Sequence, residues 1–148
     1  MAFATFGAAS AQAAKPLRQM SSAERTLLAA INAARAAAGV APLRATDTLT
    51  TAATWQSQVL ARAGVLEHTS PDGSTLADRL TRVGWRGTAA GEDLAVAPTA
   101  ASAVAMWMQS PGHRENLLRP AFRIVGLGLA RGVWNGRSAL YITADFAS

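Results

Sequence analysis

The stretch FRIVGLGLARGVWNGRSALYITADF, residues 122–146, decides the fold class. Its apolar residues fall in two runs, and the second run alternates strictly, as a half-buried strand requires, at Leu140, Ile142, Ala144 and Phe146. Asn135-Gly136 separates the runs, and both residue types tolerate the positive φ angles of a type I′ turn. We therefore predict an antiparallel hairpin with strands over 122–132 and 138–146.

The chain before this hairpin has helical periodicity instead. Four helices are predicted from cap residues, Gly and Pro: one from a Ser21 cap to Gly39, one from Thr46 or Asp47 to Gly64, one from Ser74 or Thr75 to Gly84, and one from Thr99 to Pro111-Gly112. Residues 87–97 are ambiguous between a short strand and a loop. Helices followed by antiparallel strands indicate an α+β domain with helices covering the sheet.

Length and composition indicate a single globular domain. The chain has 148 residues, of which 50% are hydrophobic. Residues 1–14 are uncharged and rich in alanine, and Ala11-Gln12-Ala13 fits the small-x-small pattern of signal peptide cleavage. We interpret 1–14 as a signal peptide remnant, with an alanine-rich tail as the alternative, and 15–148 as the domain of a secreted or periplasmic protein. No later stretch has the roughly 18 apolar residues that span a bilayer.

Charge and cysteine content exclude several classes of site. The net charge is +5, and all basic residues except Lys15 are arginines, scattered without a run. Composition bias explains them best, an anionic envelope surface is the alternative, and a nucleic-acid partner is not supported. The absence of cysteine excludes disulfides, thiol nucleophiles and cysteine-based zinc sites.

His68 and His113 are the only histidines, so they carry any imidazole chemistry. Each adjoins a turn rich in Pro and Gly, and Glu92 lies between them in a segment expected to be a loop. Two imidazoles and a carboxylate match an open three-ligand metal site, such as a catalytic zinc site. The alternative is that each histidine only cross-links its own loop by hydrogen bonds. A hydrolase would need a nucleophile, for which Ser70 and Ser110 are the candidates, although neither lies in a GxSxG elbow.

Several ordered motifs over residues 27–146 carry a resemblance to a known family. They are an opening segment with Asn32, Arg35, Gly39 and Pro42-Leu43, then HTSPDG at 68–73, GEDLA at 91–95 and WMQSPGHRENLL at 107–118. These resemble the motifs of bacterial members of the CAP superfamily, named for cysteine-rich secretory proteins, antigen 5 and pathogenesis-related-1 proteins, also called the SCP domain. The chain is identified as a cysteine-free, stand-alone bacterial form.

The resemblance implies a three-layer α-β-α sandwich with a central antiparallel sheet and a cavity holding two histidines and two acids. His68 and His113 match the histidines, and Glu92 matches one acid. Ser110 stands at the position of the second acid, and Asp93 stands where the family's GEN motif has asparagine. Glu115 does not match the missing acid. His68, His113 and Glu92 would then hold a divalent cation such as zinc weakly, with Asp72 or Asp93 as further sources of charge.

The function implied is a monomeric binding module. Its cleft would surround His68, Glu92 and His113 and take a lipid, peptide or cell-envelope ligand, with a weak or metal-assisted hydrolase as the alternative. Asn116 is expected to bond local backbone, and Arg114 to be solvated. The tryptophans are expected to pack in the core, with Trp85 as the candidate for lining the cleft; they are Trp55, Trp85, Trp107 and Trp134.

Overall fold

The computed structural model describes residues 18–148, so the predicted signal segment at 1–14 and the predicted domain start at 15 lie outside the described residues. In chain order the elements are α1 Ser22–Ala37, β1 Arg44–Ala45, α2 Asp47–Ala63, α3 Leu76–Arg82, β2 Ala90–Ala97, α4 Ala100–Gln109, α5 Pro111–Leu118, β3 Ile124–Trp134 and β4 Arg137–Ala147. No helix in this part of the chain is long and apolar enough to cross a membrane.

Side-chain caps fix the helix starts close to the predicted positions. Ser21 caps α1 in a reciprocal capping box with Glu24. The cap residues that the sequence left open are threonines: Thr46 caps α2 and Thr75 caps α3 through their side-chain hydroxyls. Gly64 ends α2 in the left-handed conformation that glycine adopts without steric cost, with φ 68°. The first three helices therefore follow from local sequence.

The C-terminal hairpin forms as predicted and is central to the sheet. Asn135 and Gly136 have φ angles of 51° and 75°, as the type I′ turn requires. The strand order is β1-β3-β4-β2, so the hairpin strands are flanked by β2 on one side and by β1 on the other. Pairing is antiparallel except for the two-residue β1, which lies parallel to β3.

Helices cover both faces of this sheet, which confirms the α-β-α sandwich. One apolar core joins α1, α4 and α5 to one face, and includes Leu27, Ile31, Val104, Trp107, Leu117 and Phe146. On the other face, α2 and α3 pack over two smaller clusters that include Leu49, Leu60, Leu80, Leu94 and Tyr141. Both faces of β4 are therefore buried.

Helix α2 lies on β3 with almost no side-chain layer between the two backbones. Gly126 and Gly128 face it, and a Cβ atom added at either glycine would overlap the backbone of Leu49 or Ala53. Glycine inside a strand often marks such a close approach of another backbone. This contact fixes the height of α2 above the sheet.

Two expectations about the middle of the chain were wrong. The open choice between strand and loop for residues 87–97 is settled by β2, which pairs in register with β4 from Ala90 opposite Ala147 to Ala97 opposite Leu140, so Glu92 lies in a strand and not in the expected loop. Helix α4 ends before Pro111 as predicted, but His113 does not lie in a turn after it; His113 lies inside α5, which Pro111 begins. Proline is favoured at a first helical position, where its missing N–H has no intrahelical partner anyway.

Arg35, which is completely buried, ties α5 to α1. Its guanidinium donates to the carbonyl oxygens of Leu117 at 2.7 Å and Phe122 at 3.1 Å, while its Nε donates to that of Ala41 at 2.8 Å. The Leu117 and Phe122 carbonyls lie at the end of α5 and just before β3, and the Ala41 carbonyl lies after α1. One side chain therefore satisfies carbonyls that would otherwise be buried without partners. The position of α5, and of His113 on it, depends on this contact.

Candidate functional site

Glu92 is the centre of the site, and its carboxylate is enclosed. It projects from β2 toward α3 with its side chain only 2% exposed. Oε1 accepts a hydrogen bond from His68 Nδ1 at 2.8 Å, and Oε2 forms an ion pair with Arg79 Nη2. A buried charge is tolerated when it is paired and hydrogen-bonded, so Arg79 is what allows an ionised Glu92 in this position.

Arg79 also holds the loop that carries His68. Its Nη1 donates to the His68 carbonyl oxygen at 3.0 Å, to Ser70 Oγ at 2.9 Å and to the Ser74 carbonyl oxygen at 3.2 Å. Gln56 on α2 holds the same loop, accepting from Ser70 Oγ at 2.6 Å and donating to the Glu67 carbonyl oxygen at 3.1 Å. The HTSPDG loop is therefore fixed from two helices.

The two imidazoles have different environments. The Glu92 hydrogen bond raises the pKa of His68, whose side chain is 62% exposed. Burial, and then the charge of His68, lower the pKa of His113. With Nδ1–H directed at Glu92, the Nε2 atom of His68 is left for an outside partner. The hydrogen bond to Glu92 therefore favours the protonated form of His68, whereas burial favours the neutral form of His113.

The three predicted metal ligands do not form a metal-binding arrangement. No group of three or more His, Asp or Glu side chains within residues 18–148 is placed to hold a metal ion. Both oxygens of Glu92 are already engaged, one of them by the guanidinium of Arg79, which would repel a cation. Asp72 does not supply the missing charge, since it bonds Ser74 and pairs with Arg82 at the surface. The described residues hold no three-ligand site, and no metal chemistry is derived from them.

A second buried acid was missed by sequence reasoning. Asp145 on β4 lies directly opposite Glu92 in the strand register and is fully buried. Neither of its carboxylate oxygens has a hydrogen-bond partner among the described residues. Burial, and then the charge of Glu92, raise the pKa of Asp145 well above its usual range, so the protonated form is favoured. The sequence signal for this buried acid was its position in a predicted strand, between the apolar residues Ala144 and Phe146.

Asp93 faces the opposite side of the sheet, toward α5. Asn116 donates to its Oδ1 at 3.0 Å and to the Glu92 carbonyl oxygen at 3.3 Å. The expectation that Asn116 bonds local backbone was therefore wrong, because it bridges α5 to β2. Burial raises the pKa of Asp93 to about 7.

A cleft of about 330 Å³ opens along the outer side of β2. Its walls are mostly apolar, and the residues that line it are Leu66, Leu94, Ala95, Val96, Met106, Trp107, Ser110, His113 and Trp134. Trp134, and not the expected Trp85, lines this cleft; Trp85 packs instead beside the Leu49 and Leu80 cluster. Ser110 and His113 are the polar side chains in the wall.

Side chains from the helices cover the outer edge of β2 above this cleft. The indole Nε1 of Trp107 donates to the Leu94 carbonyl oxygen at 2.9 Å, and Asn116 donates to that of Glu92. These carbonyls belong to residues two positions apart, so both point to the same side of the strand. Both are therefore satisfied by side chains rather than by another strand.

The nucleophile candidates differ in access. Ser70 is 3% exposed and bonded to both Gln56 and Arg79, so its hydroxyl is not available for attack. Ser110 lines the cleft near His113, but among residues 18–148 no hydrogen bond joins the two side chains. An activated serine requires a base within hydrogen-bond reach.

Comparison with known proteins identifies the class. Residues 28–146 match the cysteine-rich secretory protein (CAP) family, and the chain belongs to that family. This confirms the resemblance found in the HTSPDG, GEDLA and SPGHR motifs.

Two bacterial proteins are similar in sequence. Bacillus subtilis YkwD, itself uncharacterized, is 33% identical over 110 residues, covering 74% of this chain and 43% of YkwD. An extracellular Bacillus anthracis protein containing an SCP domain is 30% identical, with a TM-score of 0.66 over 83% of this chain and 39% of that one. The chain thus spans less than half the length of both relatives.

Two more distant structures share the fold. An outer surface protein from Borrelia burgdorferi has a TM-score of 0.72 and 20% identity, over 89% of this chain and 98% of that one. Schistosoma mansoni venom allergen-like protein 4 has a TM-score of 0.64 and 14% identity, over 86% and 89% of the two chains.

A pH dependence of stability follows from Asp93. Its carboxyl titrates at 3.8 when unperturbed and at about 7 in the fold. Between these values the unfolded chain releases a proton that the folded chain retains, so the free energy of unfolding falls as pH rises. The ceiling is roughly 4 kcal/mol for a shift of about three pH units.

We expect Asp93→Asn to abolish the part of the fall in unfolding free energy with pH that Asp93 causes, because an amide oxygen still accepts from Asn116 but carries no charge. Urea unfolding between about pH 4 and pH 8 measures it, with the variant gaining over the wild type toward alkaline pH. Asp72→Asn is the control, since hydrogen bonds from Ser74 lower the pKa of Asp72. Removing this carboxylate should therefore lower the free energy of unfolding above its ordinary pKa and not raise it. Parallel pH profiles for Asp93→Asn and the wild type would contradict the assignment.

Proposed function

We propose that this CAP domain is a ligand-binding module that takes an amphiphilic lipid at the cleft beside His113, with His68 and Glu92 at the adjoining polar site. The observation that carries the proposal is the composition of the cleft, whose apolar wall contains only one hydroxyl and one imidazole. Small-molecule sites commonly combine a mostly apolar wall with a few oriented polar groups. The volume of about 330 Å³ suits a short ligand or the end of an alkyl chain.

The polar side of this proposal rests on the histidines. His113 lies in the cleft wall, and burial favours its neutral form, which is able to donate or accept a hydrogen bond. The Glu92 hydrogen bond favours the protonated form of His68, which would attract an anionic or strongly accepting head group. Glu92 accepts from His68 Nδ1 and Arg79 donates to the His68 carbonyl oxygen, so both hold His68 in place from inside the fold. None of these three residues lines the cleft itself, so His68 would act at its rim. A peptide or an envelope polymer would instead need polar groups along the cleft.

The hydrolase alternative has less support. The His68–Glu92 pair resembles a base with its orienting acid. However, Ser70 is enclosed and Ser110 is not bonded to either histidine. Binding without turnover therefore accounts for more of the arrangement.

Titration with a dansyl-labelled medium-chain fatty acid tests the proposal. Met106→Glu puts a charge on the apolar wall at a residue that is 48% exposed in the free protein, and we expect about tenfold weaker binding because a desolvated charge is costly. Ala101→Glu adds the same charge at an exposed position on the same helix, away from the cleft lining, and should bind as the wild type does. Equal affinities for both variants would reject the cleft as the site.

We also propose that the protein is secreted. The support is the alanine-rich 1–14 segment and the names of two similar structures, an extracellular protein and a cysteine-rich secretory protein from Staphylococcus aureus. Fractionation of a bacterial host that expresses the full chain tests this, with recovery only from the cytoplasm as the contrary result.

A further inference from the structure

The tip of the β3–β4 hairpin presents apolar and basic side chains together. We call Arg131, Val133, Trp134 and Arg137 the tip patch. Val133 is 60% exposed, the most exposed large hydrophobic residue in the part of the chain that the structure describes. Trp134 is half-buried, and both arginines are exposed. The register places Arg131 and Val133 on one face of the hairpin and Trp134 and Arg137 on the other, so each face of the tip carries one apolar and one basic side chain.

The two charged side chains of the tip patch, Arg131 and Arg137, are both positive and both exposed. Residues 124–144, which include the tip and most of both hairpin strands, contain these two arginines and no acidic residue. Arg119 pairs with Glu115, but Arg131 and Arg137 form no ion pair within residues 18–148. The tip therefore complements a negatively charged surface.

The tip patch is also held in one conformation. The tight Asn135-Gly136 turn joins its two halves. Trp134 meets Tyr141 edge-on at 6.1 Å between ring centroids, and the Tyr141 hydroxyl donates to the Val133 carbonyl oxygen at 2.9 Å. Because the tip already has a fixed conformation, binding through it would order few additional groups, and this lowers the entropic cost of binding.

We propose that the tip patch docks the domain on the surface of an anionic lipid bilayer. Val133 and the exposed part of Trp134 would enter the boundary between head groups and acyl chains, where indole rings are favoured, and Arg131 and Arg137 would pair with lipid phosphates. A soluble polyanion would use the arginines equally well but would gain nothing from Val133. The proposal goes beyond ligand binding in the cleft and does not depend on it.

Co-sedimentation with vesicles tests the docking surface. The full chain should bind vesicles of mixed phosphatidylcholine and phosphatidylglycerol and bind pure phosphatidylcholine poorly. The double variant Arg131→Glu/Arg137→Glu should weaken binding by roughly 30-fold, as expected for two basic residues near an anionic surface. Val133→Ser should weaken it by about fivefold through lost apolar burial.

The control is Arg44→Glu/Arg86→Glu, which changes the net charge equally. Arg44 lies in β1 beside Ile124, at the opposite end of β3 from the tip, and Arg86 precedes the start of β2 at that same end. Both are exposed, and the control should retain most of the binding. Equal losses in the two double variants would reduce the effect to net charge and overturn the proposal. So would unchanged binding by Val133→Ser together with equally tight binding to soluble polyphosphate, which would identify a polyanion as the partner.

Discussion

Arg79→Met should destabilise the domain by about 4 kcal/mol, since removing one partner of a buried ion pair typically costs roughly 3–5 kcal/mol. The guanidinium is almost completely buried and is the only cation paired with Glu92 from inside the fold, among the residues that the structure describes. Its removal also releases three acceptors in the HTSPDG loop. Urea unfolding followed by tryptophan fluorescence measures the change, because the indole of Trp107 is buried.

Two further variants make this result specific. Arg82→Met removes an arginine from the same helix, but Arg82 meets Asp72 at the surface with both side chains about half exposed, so its loss should cost under about 1 kcal/mol. Adding Glu92→Gln to Arg79→Met removes the unpaired buried charge and should restore part of the lost stability. If Arg79→Met cost no more than Arg82→Met, the assigned role of Arg79 would be wrong.

The second large effect concerns the contact between α2 and β3. Gly128→Ala would place a methyl group on the Ala53 carbonyl and 2.6 Å from the Thr54 amide nitrogen. These are backbone atoms in mid-helix, so no side-chain rotation relieves the overlap. Overpacking of this kind costs typically 1–3 kcal/mol, and we expect about 3 kcal/mol here because the whole helix must shift.

Gly112→Ala is the matched control for that substitution. A Cβ atom at Gly112 meets nothing within 4 Å, and Gly112 lies near the start of helix α5. Alanine is favoured over glycine in helices, so this variant should be neutral or slightly more stable. Thermal unfolding of both variants distinguishes the cases, and an unchanged melting temperature for Gly128→Ala would contradict the close packing.

Local sequence determined most of the fold. Caps at Ser21 and Thr99 and the turn at Asn135-Gly136 act within a few residues, so they were readable without knowledge of the tertiary structure. Strand β2 was not, because it is held by β4 from far along the chain. Helix α5 was missed for another reason: Pro111 served as a stop for one helix and as the first residue of the next.

The candidate site was predicted only in part. The family motifs indicated His68, Glu92 and His113, and the structure joins the first two directly. The contributions of Arg79 and Asp145 were not found, because their roles depend on packing and strand register rather than on spacing. An arginine in an amphipathic helix is usually solvated, and only the fold turns this one inward.

The caps supplied by Trp107 and Asn116 have a consequence for how copies of this protein behave at high concentration. A free sheet edge is a template on which another chain adds a strand, and this is a common route to aggregation. At one edge of this sheet, helix side chains occupy the Glu92 and Leu94 carbonyls of β2. At the other edge, the two-residue β1 pairs with the start of β3, and the next outward group, the Leu127 N–H, donates to Thr50 Oγ1 of α2 at 3.2 Å. With no disulfide to hold a partly opened molecule together, these two blunted edges are what discourages neighbouring copies from joining sheet to sheet.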